Sequence, residues 1–448
     1  MFRILPSREL SGKVWHLAAP VVVGMISQTL INLVDTAMVG RLGASALAAT
    51  GLGGILSWMI LGTVGALHVG TQAVASRRYG ERNFVDAGRA LDNSIAIAFV
   101  IGLLGSSILS PTMRQIIVFF TKDPEVVRQG AGYIGWRVMG ALPFMVIMAH
   151  RGFFNGIGET HLHMRVGITM NILNIFMNWI FIFGNLGAPA MGAAGAAFGS
   201  TISVLIGMLI FIMIGYFHPR RRAYGYYRIA NVSREGLWRV LRLAGPSGIR
   251  SFLIMLGFSI FSGIVARLGT VQMAATNVVL NIMSMAYLPG YGMGTAAATL
   301  IGQKLGEGDP EGAEAFGWEA NRLGVIMMGV MGILFIFLPG VLLRFFTLDS
   351  EVIRVGTIPL RMMGFVQIFD AAGMVLSGAL EGAGMNRWVL VVELSVNWFL
   401  FLPLTYLLAY VLDLGLIGAW TAFGVYLITF GVLVIYKYSL GTWKKVSV

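Results

Sequence analysis

The chain has 448 residues, 57% hydrophobic and 12% charged, with a mean hydropathy of +0.79 and a formal net charge of +12. That make-up is too apolar for a water-soluble domain. The basic excess lies in short loops between apolar runs, where orientation in a membrane accounts for it better than nucleic-acid binding does. With no cysteine, a disulfide framework, a thiolate metal site and a cysteine nucleophile are all excluded.

Apolar stretches recur along the whole length and predict twelve spans, near residues 14–41, 46–75, 88–110, 131–154, 162–184, 192–217, 240–267, 272–302, 316–343, 354–380, 388–411 and 415–438. Crossing a bilayer as a helix takes roughly 20 apolar residues, whereas a β-barrel would show alternating segments of ~10, so helices are expected. The amphipathic start, MFRILPSRELSGK, has no small-residue cleavage site and leads directly into the first span, so a cleaved signal peptide is not expected. An even number of spans puts both termini on one side. The Lys and Arg excess, including Arg77, Arg78, Arg82, Arg89 and the basic stretch from Arg220 to Arg242, makes that side the cytoplasm of a plasma membrane.

The first span holds a carboxylate, Asp35, in an otherwise apolar run. An ionisable group at that depth costs at least ~2.5 kcal/mol, so it is either hydrogen-bonded to a neighbouring helix as a structural group or kept as a proton or cation site. Gln28 lies two turns before it on the same face. Pro20 and Gly24 give this helix a place to bend, because proline removes one backbone hydrogen bond and crowds the preceding turn. In the fifth span, Asn171, Asn174 and Asn178 follow at spacings of three and four and share a face, either as interhelical hydrogen bonds or as the lining of a polar cavity. Asp370 in the tenth span and Glu393 in the eleventh leave a similar choice open, with Asp370 a secondary candidate for titration.

A repeat organises the chain. LAAP from Leu17 returns as LAGP from Leu243, VGRLG from Val39 as VARLG from Val265, FFTKDPEV from Phe119 as FFTLDSEV from Phe345, and GFFNGIG from Gly152 as GALEGAG from Gly378. Each pair is offset by 226 residues (243 − 17, 265 − 39, 345 − 119, 378 − 152). A unit of six spans re-enters the membrane in the same direction, so the expected fold is all-α and integral to the membrane. It comprises twelve transmembrane helices in two pseudo-symmetric six-helix bundles related as parallel repeats, the arrangement used for alternating access. The expected domains are an N-lobe over 1–217, a cytoplasmic basic linker over 218–239 and a C-lobe over 240–448.

Twelve spans in two homologous lobes, Pro20 and Asp35 in the first, and DAAGMVLSGALEGAG from Asp370 in the tenth resemble the multidrug and toxic compound extrusion transporters over essentially the full chain. The N-lobe set of Asp35, Asn174 and Asn178 is similar to the DinF-like branch, and the seventh span lacks the carboxylate found in the branch with charged C-lobes. The resemblance implies contacts from Asn174 and Asn178 to Asp35, places Tyr133 near it, and implies a first span that bends when Asp35 is protonated. Asn155 and Asn171 join Gln28 and Tyr133 as candidates for contact with substrate.

One carboxylate among amides is better suited to take and release a proton than to cage sodium, although sodium coupling stays open. The expected activity is therefore export of amphipathic, often cationic drugs by proton antiport, in a monomer with no cofactor. A sodium-coupled antiporter and a lipid-linked precursor flippase are the alternatives. No catalytic set is expected: His68, His150, His161 and His163 do not form a metal site, and GEGDPEG after the eighth span lacks the lysine of a phosphate-binding loop. At the same offset Asp35 corresponds to Phe261, so only one copy carries the acid, which favours a coupling role over a scaffolding one.

Overall fold

The computed structural model describes residues 7–446, and among these every regular element is a helix. We number the membrane helices in chain order. α1 is Arg8–Gly40, α2 Ala44–Gly80, α3 Phe84–Phe120, α5 Thr160–Phe183, α6 Ala193–Phe217, α7 Arg234–Ala266, α8 Thr270–Gly306, α9 Pro310–Phe337, α10 Ser350–Gly382, α11 Asn386–Val411 and α12 Gly415–Ser439. These 11 helices are long and apolar enough to cross a membrane. α4, a pair of arms Pro124–Met139 and Ala141–Gly156 bent by 43°, brings the number to 12 when counted as one span. At 1.5 Å per residue the 33 residues of α1 reach about 50 Å, so it projects well beyond a ~30 Å hydrocarbon layer.

The repeat governs how the helices begin and end. Asn83 caps α3 by accepting from Asp86 N at 3.1 Å, and Asp309, 226 residues on, caps α9 by accepting from Gly312 N at 2.8 Å. That bond holds the Asp309 carboxyl below the usual carboxylate range. Asp123 caps α4 through Glu125 N (2.9 Å) and Val126 N (3.3 Å), and Asp349 caps α10 through Glu351 N (2.8 Å) and Val352 N (3.3 Å). Gly43 and Gly269 each follow a helix end with φ of 107° and 139°, backbone that a side chain would strain.

The copies differ where their sequences do. Pro143 cannot donate to the carbonyl of Met139, so α4 breaks at Gly140; the equivalent of Pro143 is Phe369, and α10 runs on unbroken.

By its internal contacts the chain forms two compact units, one of Met1–Val22 with Phe252–Val448 and one of Val23–Ser251. The division falls inside α1 and α7, so each of these helices begins in one unit and ends in the other. In the first unit Val14, Leu17 and Ala18 of α1 are buried among Met293, Ala296 and Ala297 of α8. In the second, Val240 and Ala244 of α7 lie so close to α2 that a Cβ on Gly70 would come within 2.6–2.9 Å of them. These are equivalent contacts at the 226 offset, since 14 and 18 become 240 and 244, and 296 becomes 70.

The basic stretch between α6 and α7 is folded onto the second unit. Tyr224 and Tyr226 are buried, the Asp92 carboxylate accepts from Tyr227 N (2.7 Å), Arg228 N (3.2 Å) and Asn231 Nδ2 (2.6 Å), and burial raises all three phenols above their ordinary range, Tyr224 to about 12.

Replacing Asp123 or Asp349 by alanine is expected to cost about 1 kcal/mol each, the usual worth of a helix cap. The two losses should be similar and additive in detergent thermal unfolding, because the caps occupy equivalent places in the two copies.

Candidate functional site

The polar residues within the span of Val23–Ser251 come together where α1 meets α5 and α6. Asn178 on α5 is fully buried, and its Nδ2 donates to Asp35 Oδ1 at 2.7 Å. Asn174, one turn away, serves the acid with its Nδ2 turned to Asp35, 3.1 Å from both carboxylate oxygens, and its Oδ1 accepting from Ser200 Oγ of α6 at 2.9 Å, though its Nδ2 then faces Asn178 Nδ2, also a donor, at 3.3 Å. Asn171, a further turn along, donates to Ser27 Oγ at 2.8 Å. The asparagine face of α5 therefore runs along α1, with two of its three amides on the acid. Gly199 makes room for this, since a Cβ there would lie 2.5 Å from Asn178 Oδ1.

The chemistry of the cluster follows from its donors. Amide N–H groups complement an ionised carboxylate, whereas a protonated Asp35 would need an acceptor for its own O–H. Asn178 Oδ1 is buried without a hydrogen-bond partner, so a turn of that amide would supply one. Arg137 on the first arm of α4 is the cation whose charge acts on Asp35. It was not among the residues singled out from sequence, nor were Ser27, Gly199 and Ser200. An arginine inside a predicted span is the signal that could have found Arg137.

Other candidates lie apart from the carboxylate. Gln28 is exposed and donates to Asn32 Oδ1 at 3.2 Å, one turn along its own helix. Tyr133 packs its ring on Gly53 of α2 and beside the cluster of Val39, Ala46, Ile182, Ala193 and Ala196, one turn beyond Asp35 on α1. Asn155 is fully buried at the end of α4, near the start of α5, which is about 27 Å along that helix from Asn178. Pro20 and Gly24 flank the point where α1 passes from one unit to the other, between Val22 and Val23, and the helix is unbroken through both. In the other unit Asp370 and Glu393 act on each other electrostatically, and Tyr426 donates to Glu393 at 3.5 Å.

At the 226 offset Asp35, Arg137, Asn174 and Asn178 become Phe261, Met363, Leu400 and Leu404. Those four lie together as well, in one apolar cluster with Phe401, Trp420 and Phe423. The acid and the two amides that touch it in one copy are replaced by apolar side chains in the other, where Asn397, the equivalent of Asn171, keeps its amide.

Compared with known families, the sequence matches the MatE model twice, over residues 20–180 and 246–407, and the two matches begin 226 residues apart (246 − 20). The chain belongs to the MatE family. It is a multi-pass membrane transporter of that family and not an enzyme. Its MatE relatives include the probable multidrug resistance protein NorM of Thermotoga maritima, 26% identical over 98% of this chain and 94% of that one. The multidrug resistance protein MdtK of Yersinia pseudotuberculosis is 28% identical over 94% of this chain and 93% of its own. A solved MOP superfamily transporter from Pyrococcus furiosus, 22% identical, shares the fold with a TM-score of 0.88 over 98% and 97% of the two chains.

Two outcomes check this account of the MatE site. Phe261→Asp would place an acid among Phe401, Trp420 and Phe423 with none of the amides that serve Asp35, and should destabilise the protein by ~3 kcal/mol or more in detergent unfolding. Gly199→Ala should displace the Asn178 amide, detected as a changed Asn178 side-chain resonance or as loss of the Asp35 contact in a solved variant.

Proposed function

We propose that this chain is a secondary active multidrug exporter that exchanges drugs for protons, with Asp35 as the group that carries the proton. The observation that carries this reading is that the duplicated scaffold holds the acid and the two amides that touch it in one copy only. A group needed just to hold helices together would serve both. When Asp35 is ionised, Asn174 and Asn178 hold it as donors. When it takes a proton an amide must turn its oxygen to accept the new O–H, α1 shifts against α5 as the contacts rearrange, and Pro20 and Gly24 take up the bend.

Proton rather than sodium is favoured by the direction of the amides. Nitrogen donors aimed at the carboxylate occupy the positions where a sodium ion would need oxygens. The same acid-and-amide set aligns the chain with the DinF-like branch, while the names of its curated relatives, NorM and MdtK, support multidrug transport.

A polar stripe of Gln28, Thr29, Asn32 and Thr36 is exposed on α1 beside Asp35. Polar groups at that depth face water rather than lipid, so this stripe is the proposed lining of the drug path, with Asn171 and Tyr133 next to it. The substrates are amphipathic and often cationic. The protein works as a monomer in the plasma membrane with both termini in the cytoplasm, where its basic loops belong. Motion of an N-lobe and a C-lobe joined by the linker over 218–239 supplies alternating access.

In a host lacking its own efflux pumps, expression should raise tolerance to cationic dyes and fluoroquinolones, and a protonophore should abolish the gain. Asp35→Asn should reduce proton-driven efflux in everted vesicles at least tenfold while leaving folding intact. Full efflux by that variant, or efflux that follows a sodium gradient and ignores pH, would sink the proton-coupling assignment.

A further inference from the structure

The helices that change units, α1 and α7, begin with the same three residues, Ser7-Arg8-Glu9 and Ser233-Arg234-Glu235, again 226 apart. Each start is held by a buried side chain from the third helix of its own repeat's counterpart. Ser233 N donates to Asn93 Oδ1 of α3 at 3.1 Å, and Ser7 N donates to Glu319 Oε1 of α9 at 2.7 Å. Asn93 and Glu319 are themselves equivalent positions (319 − 93 = 226), 2% and 0% exposed. Each fastening lies within one compact unit. The similarity extends along both helices, where Glu9 pairs with Lys13 at 2.9 Å and Glu235 with Arg239 at 2.6 Å.

The two fastenings differ in chemistry. Asn93 is a neutral acceptor whose amide also donates to the carbonyls of Arg89 (2.8 Å) and Asn231 (3.1 Å). Glu319 is a carboxylate that takes Ser11 Oγ–H as well and pairs with Arg322 at 2.9 Å. A buried acceptor left with its donor removed stays desolvated and unpaired, so neither end is released cheaply.

We infer that Asn93 and Glu319 are positioning residues for transport: they pin the leading ends of α7 and α1, so that any rearrangement is absorbed inside these two helices, near Pro246 and Pro20, and not by detachment of their ends. This deepens the antiport reading and rests on it for its transport consequence alone. The pinning itself is a statement about local structure.

The test uses the full chain in lipid nanodiscs and two pairs of variants that separate the bond from its surroundings. Glu319→Gln keeps an acceptor for Ser7 N–H and Glu319→Leu removes it. Ser233→Ala keeps the N–H but loses the hydroxyl that accepts from Gly236 N at 3.0 Å, while Ser233→Pro removes the N–H too, and the extended backbone of Val232 (ψ 119°) accommodates a following proline.

Hydrogen exchange should rise at least tenfold over residues 8–14 in Glu319→Leu and over 234–240 in Ser233→Pro, each without change at the other site. Glu319→Gln should stay within threefold of the wild type, and Ser233→Ala, which gives up only its cap bond to Gly236 N, within about sixfold. In transport, the Leu and Pro variants should lose at least tenfold in turnover with drug affinity within twofold, and the conservative partners should keep at least a third of the rate.

Unchanged exchange at both helix starts, or an increase spread over the whole chain, would overturn the pinning. Local release with normal turnover would overturn its role in transport. A wild type that shows no proton-driven efflux removes the antiport reading and leaves the exchange results to decide the pinning alone.

Discussion

A carboxylate inside a membrane helix must be satisfied by donors from neighbouring helices, and in this transporter that constraint falls on Asp35. Its acceptors are met by Asn178 and Asn174, which fixes the rotation of α5 against α1. Asn174 is in turn tied to Ser200, and Asn178 reaches the acid only because Gly199 leaves space beside it, so α6 must lie close along α5. Three helices are thereby oriented by one charge, through groups too polar to be left in contact with lipid.

The duplicated half shows what the scaffold looks like without that charge. Phe261, Met363, Leu400 and Leu404 occupy the equivalent places and close into core with Phe401, Trp420 and Phe423, the rings of Phe261 and Phe401 5.2 Å apart. Apolar packing there meets the same need to bury surface, but it has one stable arrangement. An acid among amides has two, depending on its proton, and this difference is what makes one half a candidate for coupling and the other a support.

Much of the fold was legible in the residues because the rules involved are local or linear. Span length follows from bilayer thickness, and the 226-residue offset follows from duplication and returns in caps, ion pairs and glycine turns alike. That Asn171, Asn174 and Asn178 share a face follows from helical spacing. Spacing does not say which neighbour a face meets. Gln28 has the right register to accompany Asp35 but turns to Asn32 on its own helix, and Arg137, far away in sequence, is the cation whose charge acts on the acid. The break in α4 is readable in hindsight from Pro143, since its equivalent Phe369 leaves α10 whole.

The sequence by itself determined that this is a membrane protein of about twelve helices, built from two copies, with an intramembrane acid, Asp35, whose equivalent position in the second copy is Phe261. These are properties of composition, length and self-similarity, and none depends on how helices pack. Only the tertiary structure decided that α1 and α7 pass from one compact unit into the other, that Ser7 and Ser233 are held by Glu319 and Asn93, and that Asp35, Asn174, Asn178 and Ser200 form one polar site. The contacts that settle these points join residues 140 to 312 positions apart, which the periodicity of a single helix cannot encode.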